Sequence, residues 1–554
     1  MKNPLKKIFV FLPIILSITI ILGIFLGTKL NFSANQNKIF SLQFSKFNKI
    51  NEILNYIIEE YVDSIDKTDL TEETVSTLLK NLDPHSAYIS ANELKAINEP
   101  LEGTFCGIGI EFNIINDTII VIYPIPKGPS KVIGIEAGDR IIRIEDELVA
   151  GVGITNKEVI NRLRGLNESI VNISIFRKGT TSSIDYTITR GVIPIQSVDV
   201  AYMVNDSIGY IRISRFSATT YDEYSTAFEK LQKDGIKELI LDLRENPGGY
   251  LNSATKLVDE FLEDKKLIVY TKGKSRLKSS YLATSKGKFQ KGKLIILIDE
   301  GSASASEIIA GAIQDNDRGI IVGRRSFGKG LVQEQFEFPD GSAVRLTVAR
   351  YFTPTGRCIQ KSYSQGNEKY YHEIYKRFIN GEFENEASIH FADSLKFTTP
   401  GGKIVYGGGG IMPDIFIPID TTQLSLYLTA INNNNLINQF AFEYADKNRK
   451  ALNEYKSFDV FNEKFTIDNK IVKDFISYAE KNGVEKYQNA LIKGDEKVIK
   501  IWLKAFIARY IWNNEGFYPI INKIDNTFQK ALELATKREA INHDNLTHMT
   551  YPKG

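Results

Sequence analysis

The strongest constraint on this chain is a series of short apolar runs between residues 195 and 430. ELILDLR (238–244), KLIILID (293–299) and GIIVG (319–323) have the continuous apolar character of strands in a sheet covered on both faces. NPGG and the helical pattern LNSATKLVDEFL follow the first run. GSASAS and the helical SEIIAGAIQD follow the second, and RRSFGKG follows the third. Strand and helix patterns in alternation predict βαβ units and a largely parallel sheet. The handedness of such units puts the loops after the strands at the carboxyl edge, where open α/β sheets carry their sites. NPGG, GSASAS and RRSFGKG are therefore expected side by side.

Spacing supports the same placement. A helix of about 12 residues leads roughly 18 Å away from Ser304. A strand of about five residues brings the chain back roughly 17 Å, so Lys329 returns to the level of the serine. A serine hydroxyl is a weak nucleophile and needs a base. The five histidines are His85, His372, His390, His543 and His548, and none lies between 86 and 371. Lys329, between Gly328 and Gly330, is the expected base, because burial pushes a lysine toward the neutral form that can accept a proton. Ser–Lys dyads are a known variant of the serine hydrolase arrangement. The Ala305 N–H opens a helix and suits a developing oxyanion, and Gly248 and Gly249 are expected to supply a second N–H. Each motif also has a plain structural reading. Ser304-x-x-Glu307 is a capping box, NPGG is a common turn, and Gly-Lys-Gly could be a surface turn. Their convergence on one sheet edge favours the catalytic reading.

The rest of the chain divides around this core. Lys2, Lys6 and Lys7 precede an uncharged stretch from Ile8 to Gly27, about twenty residues, long enough to span a membrane as a helix with the lysines on the cytoplasmic side. A cleaved signal peptide is the alternative, but the length and the lack of an A-x-A site favour a retained anchor. Residues 1–37 are thus expected to anchor the chain in the cytoplasmic membrane, with all that follows outside the cytoplasm. Residues 38–98 have helical periodicity and end in a turn, DPHSAYIS, where His85 reads as a structural residue. Residues 99–192 change to short strands, with a turn at Asn116-Asp117, a helix NKEVINRLRG, and the strands VNISIFRK and IDYTITR. The GIGI entry, the AGD turn and LRG resemble a PDZ domain. That resemblance implies that Gly107, Ile108, Gly109 and Ile110 hold a peptide's terminal carboxylate while the peptide adds as a strand. Residues 193–430 form the α/β core, and 431–554 read as a helical region whose aromatic residues form its own core. Lys+Arg 69 against Asp+Glu 67 gives no basic field for nucleic acid. Cys106 and Cys358 show neither C-x-x-C nor zinc spacing, so no disulfide framework or metal site is expected.

LDLRENPGG, GSASASEIIAGAIQDNDRGIIVG and SFGKGLVQ, in this order behind the PDZ-like segment, resemble the carboxyl-terminal processing peptidases, the tail-specific proteases of serine peptidase family S41. The resemblance covers roughly residues 45–420. It implies a crotonase-like peptidase core with an inserted PDZ domain. It also implies Ser304 as nucleophile, Lys329 as base 25 residues later, and Gln333 orienting the lysine. Some members use an aspartate at the helix end, which matches Asp315. The partners implied are polypeptides with accessible C-terminal tails, which the PDZ domain recognises and whose entry it can gate. No cofactor is implied, and a homo-oligomer or an adaptor partner is left open. GGGGIMPDIFIP (407–418) lacks the G-K-[ST] of a phosphate loop and reads as a turn and strand of the core. Two other classes are weighed against this reading: a non-enzymatic PDZ adaptor, and an acyl-CoA enzyme on a related core.

Overall fold

A computed structural model describes residues 16–24, 49–421, 425–484 and 493–537. The chain falls into two units, Met1–Thr71 and Glu72–Gly554. In the first, residues 16–24 and Lys49–Glu60 are helical and bury no side chain. No helix among the described residues is long and apolar enough to cross a membrane. The expected span Ile8–Gly27 lies outside the described residues except for 16–24.

The second unit begins its site-building elements with β1 (Ala87–Ile89) and α1 (Ala91–Glu102). An antiparallel sheet follows, built from β2 (Ile110–Ile115), β3 (Thr118–Pro124), β4 (Arg140–Ile144), β5 (Ile170–Phe176) and β6 (Ile184–Thr189), hydrogen-bonded in that order. β2 is a terminal strand of this sheet. Between β4 and β5 runs α2 (Asn156–Leu163), opened by a reciprocal cap in which Thr155 and Glu158 bond each other's backbone N–H. Its buried Val159 and Leu163 pack with Ile119, Ile141, Val171 and Ile188 of the sheet.

The larger sheet has the order β7 (Val198–Met203), β8 (Ile208–Ile213), β9 (Glu238–Asp242), β12 (Lys293–Ile298), β13 (Ile320–Gly323), β16 (Ile415–Phe416). Only the β7–β8 pair is antiparallel. The apolar runs read from the sequence are its central strands, and they are covered on both faces, as such runs require. On one face lie α3 (Thr220–Lys233), α4 (Leu251–Asp259) and α5 (Ala305–Asp315), packed on Ile211, Leu241, Ile296 and Ile298. Every residue of α5 is buried. A second, antiparallel sheet carries β10 (Leu267–Lys272), β11 (Ser279–Leu282), β14 (Leu331–Glu337) and β15 (Ala343–Phe352), with β1 added beside β15.

The C-terminal helices include α6 (Leu436–Lys447), α7 (Lys493–Ile521, broken at Trp512 and Asn513) and α8 (Asn526–Thr536). As expected, their aromatic residues are core: Phe442, Phe461 and Phe475 are buried together. The region is not a separate appendage, however. Its core runs into Ile115 and Ile120 of the smaller sheet, and Arg140–Asp446 and Arg509–Glu111 pair across the same boundary. On the side of the large sheet, Phe528, Ala531 and Leu534 of α8 cover Ile240, Ile295, Leu297 and Val322, the face opposite α5. Arg244 is bonded to both oxygens of Asp525, the cap residue of α8. Lys293 Nζ donates to the Leu534 and Lys537 carbonyls at the helix end, where cations are favoured.

Candidate active site

Three loops meet at the carboxyl edge of the large sheet, as expected from the βαβ pattern. They are tied by hydrogen bonds between one loop and the next. The Asn246 carbonyl in the NPGG loop accepts from Ala303 N–H at 2.9 Å and from Ser306 Oγ at 3.0 Å. Ser302 Oγ donates to the Leu243 carbonyl at 2.8 Å, and Phe327 N–H donates to the Ser302 carbonyl at 3.0 Å. The loop after β13 is thereby fixed to the loop that carries Ser304.

Ser304 itself sits just before α5 with φ 54° and ψ −111°. A non-glycine residue in such a conformation stores on the order of 1–3 kcal/mol and persists only when its surroundings hold it. Gly248 is part of what holds it. A Cβ at Gly248 would stand 2.6 Å from Ser304 Cβ and 2.8 Å from Ala305 N, and the residue takes φ +96°. Gly249 approaches the Phe216 carbonyl so closely that a Cβ would lie 2.0 Å from its oxygen. The expected oxyanion donors therefore separate. Gly248 N–H donates to Asn246 Oδ1 at 2.8 Å, so it is spent within the loop and the expectation that it supplies a donor is corrected. Ala305 N–H and Gly249 N–H have no acceptor among the described residues. Ala305 is the first residue of α5, where such N–H groups are left unpaired by the helix itself.

Glu307 connects the serine to the lysine loop. Its carboxylate is fully buried and accepts from Ser304 N–H (2.9 Å), Lys329 N–H (2.8 Å), Gly328 N–H (2.7 Å) and Ser326 Oγ (2.5 Å). Burial raises its pKa, and these hydrogen bonds oppose the rise. The Tyr351 hydroxyl adds a second tie: it donates to the Lys329 carbonyl at 2.6 Å and lies 3.2 Å from the Ser304 carbonyl. Lys329 Nζ donates to Gln333 Oε1 at 3.1 Å, and Gln333 Nε2 donates to the His85 carbonyl. Burial lowers the Lys329 pKa, and the Arg345 cation lowers it further, against Glu307 and Asp83. The amine is thus shifted toward the neutral form a base needs.

His85 belongs to a turn held by Asp83, as read from the sequence, but the turn reaches the site. Asp83 Oδ1 accepts from His85 N–H (2.8 Å), Ser86 N–H (2.9 Å) and Thr347 Oγ1 (3.0 Å). The imidazole Nε2 lies 2.9 Å from the Tyr370 hydroxyl. Burial first, then the Lys329 charge, lower the His85 pKa to about 4.

Ser304, Lys329, Gln333, Gly248 and Gly249 line one cavity of about 880 Å³, with Asn98 and Leu101 of α1 on another wall. Asp315 does not belong to it. It lies at the far end of α5, fully buried, with Oδ1 paired to Arg357 at 2.7 Å and Oδ2 accepting from Thr355 N–H and Oγ1. The expectation of a catalytic role for Asp315 is therefore corrected to a structural ion pair. Gly107–Ile110 lie in the smaller sheet's module, apart from this cavity. Among the described residues no group of His, Cys, Asp and Glu could hold a metal ion. Sequence reasoning missed Tyr351 and Asp83, and it read Glu307 only as a cap.

A serine at a helix start, a largely buried lysine and free backbone donors around one cleft suit a serine-type peptidase site, and comparison with known proteins agrees in the class of enzyme. The family model described as "Peptidase family S41" matches residues 207–368. The carboxy-terminal-processing protease of Bartonella bacilliformis is 35% identical over 348 residues, covering 61% of this chain and 78% of that protein. Carboxy-terminal processing protease CtpA of Bacillus subtilis is 32% identical over 362 residues, covering 65% and 76%. Among solved structures, the photosystem II D1 C-terminal processing protease shares 29% identity, with 55% of this chain and 82% of that one covered and a TM-score of 0.32. The chain belongs to peptidase family S41 and to its carboxy-terminal processing proteases, and it is a serine-type peptidase. Residues 427–513 match a second model, described as a family of unknown function (DUF8443).

Proposed function

We propose that the protein cleaves polypeptides selected by their C-terminal tails, with Ser304 as nucleophile and Lys329 as general base. The observation that carries this reading is the Glu307 carboxylate, which accepts from Ser304 N–H and Lys329 N–H at once. One buried group thus sets the position of both partners of the dyad. Neutral Lys329 takes the Ser304 proton as Oγ bonds to the scissile carbonyl carbon. The oxyanion that forms is met by the Ala305 and Gly249 N–H groups. Collapse expels the amine, which takes the proton from the lysine ammonium, and leaves an acyl-serine. Water, deprotonated by the same lysine, then releases the new carboxyl terminus and frees the serine. Gln333, held by the His85 carbonyl, keeps the lysine in place.

Residues 99–192 act in this reading as a PDZ domain inserted in a crotonase-like peptidase core, and the domain binds a substrate C-terminus at Gly107–Ile110. Two features support that role. β2 is a terminal strand of its sheet, which suits addition of a peptide strand. The carbonyls of Ile108 and Gly109 accept from Ser130 N–H and Ile125 N–H. In a trans peptide the N–H points opposite the carbonyl, so the Gly109 and Ile110 N–H groups face away from those anchors. The N-terminal lysines and apolar stretch support a single-pass anchor, with substrates on the extracytoplasmic side of the cytoplasmic membrane.

The test is cleavage of an unfolded protein with an apolar C-terminal tail by the purified chain, beside Ser304→Ala and Lys329→Ala. Cleavage by wild type alone is expected. Equal cleavage by the Ser304→Ala chain would sink the dyad, and tail binding without turnover by any chain would favour an adaptor.

A further inference from the structure

The cavity that holds Ser304 and Lys329 contains a cation that lacks a counter-ion. Arg345 lies on β15, half-buried, in register with Ala87 of β1 on one side and Gln335 of β14 on the other. Its guanidinium lines the cavity. Nη2 donates to Gln335 Oε1 at 3.0 Å and to Asn98 Oδ1 at 3.4 Å, both neutral amide oxygens. The other arginine of the cavity, Arg276, is closed by a two-point pair with Glu334. Arg345 forms no ion pair with any carboxylate among the described residues, although Glu102 and Glu337 also line the cavity. Burial without a counter-charge lowers its pKa.

A guanidinium presents five N–H donors in a planar fork, and the group that matches two of them at once is a carboxylate. We infer that Arg345 is a specificity-determining residue that binds a carboxylate of the polypeptide in the cleft. The source is either the α-carboxylate of the chain end or an aspartate or glutamate side chain near the scissile bond. This rests on the reading of the cavity as the cleavage site. A second consequence follows from position. Beyond burial, the charges acting on the Lys329 ammonium are Arg345, which lowers its pKa, and Glu307 and Asp83, which raise it. A substrate carboxylate seated on Arg345 offsets that cation, so the lysine titrates higher when such a substrate is bound.

The experiment uses the full chain and four peptides with one sequence around the cleaved bond. One pair differs in glutamate or glutamine near that bond, the other in a free or amidated C-terminus. The readout is the ratio of kcat/KM within each pair, for wild type, Arg345→Gln, Arg345→Lys and Arg345→Glu. Wild type is expected to favour the carboxylate by about ten- to a hundredfold in one pair, as a charge-assisted hydrogen bond would give. Arg345→Gln should bring that ratio near one, Arg345→Lys should restore part of it, and Arg345→Glu should invert it. The pair that responds identifies the source. The acidic limb of the kcat/KM profile should also move to higher pH in Arg345→Gln. Ratios near one in wild type, or an unchanged ratio in Arg345→Gln, overturn the inference. If no peptide is turned over at all, the cleavage reading fails instead, and equilibrium binding of the same peptides to wild type and Arg345→Gln decides the carboxylate question on its own.

Discussion

Gly248 touches Ser304 so closely that a methyl group on the glycine would come within 2.6 Å of the serine Cβ. Its φ of +96° adds a conformation that side chains disfavour. Gly248→Ala should therefore displace the serine or the Ala305 N–H rather than fill space. Misplacement of about 1 Å at a reacting centre costs on the order of a hundredfold in rate. A loss of that size in kcat/KM is expected, with circular dichroism near that of wild type. Retention of activity would mean the loop gives way without moving the serine.

Glu307 accepts four hydrogen bonds while fully buried, so its replacement should be costly in two respects. A glutamine in its place has one acceptor oxygen and turns an NH2 toward groups that donate. Each lost bond to a buried charge is worth about 1.5–3 kcal/mol. Glu307→Gln is expected to lower both the melting temperature and kcat, measured by calorimetry and peptide turnover. A capping role alone would cost about 1 kcal/mol and leave kcat intact.

Lys329 must be neutral to act as base, and burial and Arg345 both favour the neutral form. Activity should accordingly rise with pH through a limb lying below the ordinary lysine value of about 10.4. Lys329→Arg, which cannot lose its proton, should be inactive across that range. Gln333→Ala should lower kcat by about ten- to a hundredfold, the range for positioned acid–base groups, with little change in melting temperature. A Gln333→Ala chain with normal kcat would remove that residue from the positioning role.

Asp315 and Arg357 form a pair with both side chains fully buried. Asp315→Ala leaves the guanidinium uncompensated, a loss of about 3–5 kcal/mol. The expected result in urea denaturation is a large drop in stability, with turnover per folded molecule unchanged. Loss of turnover in a chain that remains folded would restore Asp315 to the catalytic set.

The sequence was most informative where chemistry and topology are local. The NPGG, GSASAS and GKG loops follow strands of one parallel sheet, and that sheet leaves them no other edge to occupy. It was least informative where a residue's partner lies far along the chain. Asp83 bonds Thr347, Gln333 bonds the His85 carbonyl, and Tyr351 bonds Lys329, and no local pattern marks any of these pairs. Glu307 was visible as a capping residue, but its bonds to Gly328 and Lys329 depend on where the next loop returns. The Gly248 donor was misjudged because the neighbouring Asn246 side chain turns back on it. The C-terminal helices show apolar periodicity but not which surface they cover.

The position of α8 in the chain has its own consequence. Every residue of the cleft is synthesised before Phe528, Ala531 and Leu534, which cover the sheet's other face. A growing polypeptide can thus contain Ser304 and Lys329 while Ile240, Ile295 and Leu297 are still exposed to water. The sheet that carries the cleft is therefore covered on this face only once α8 has been made, well after Ser304 and Lys329 themselves.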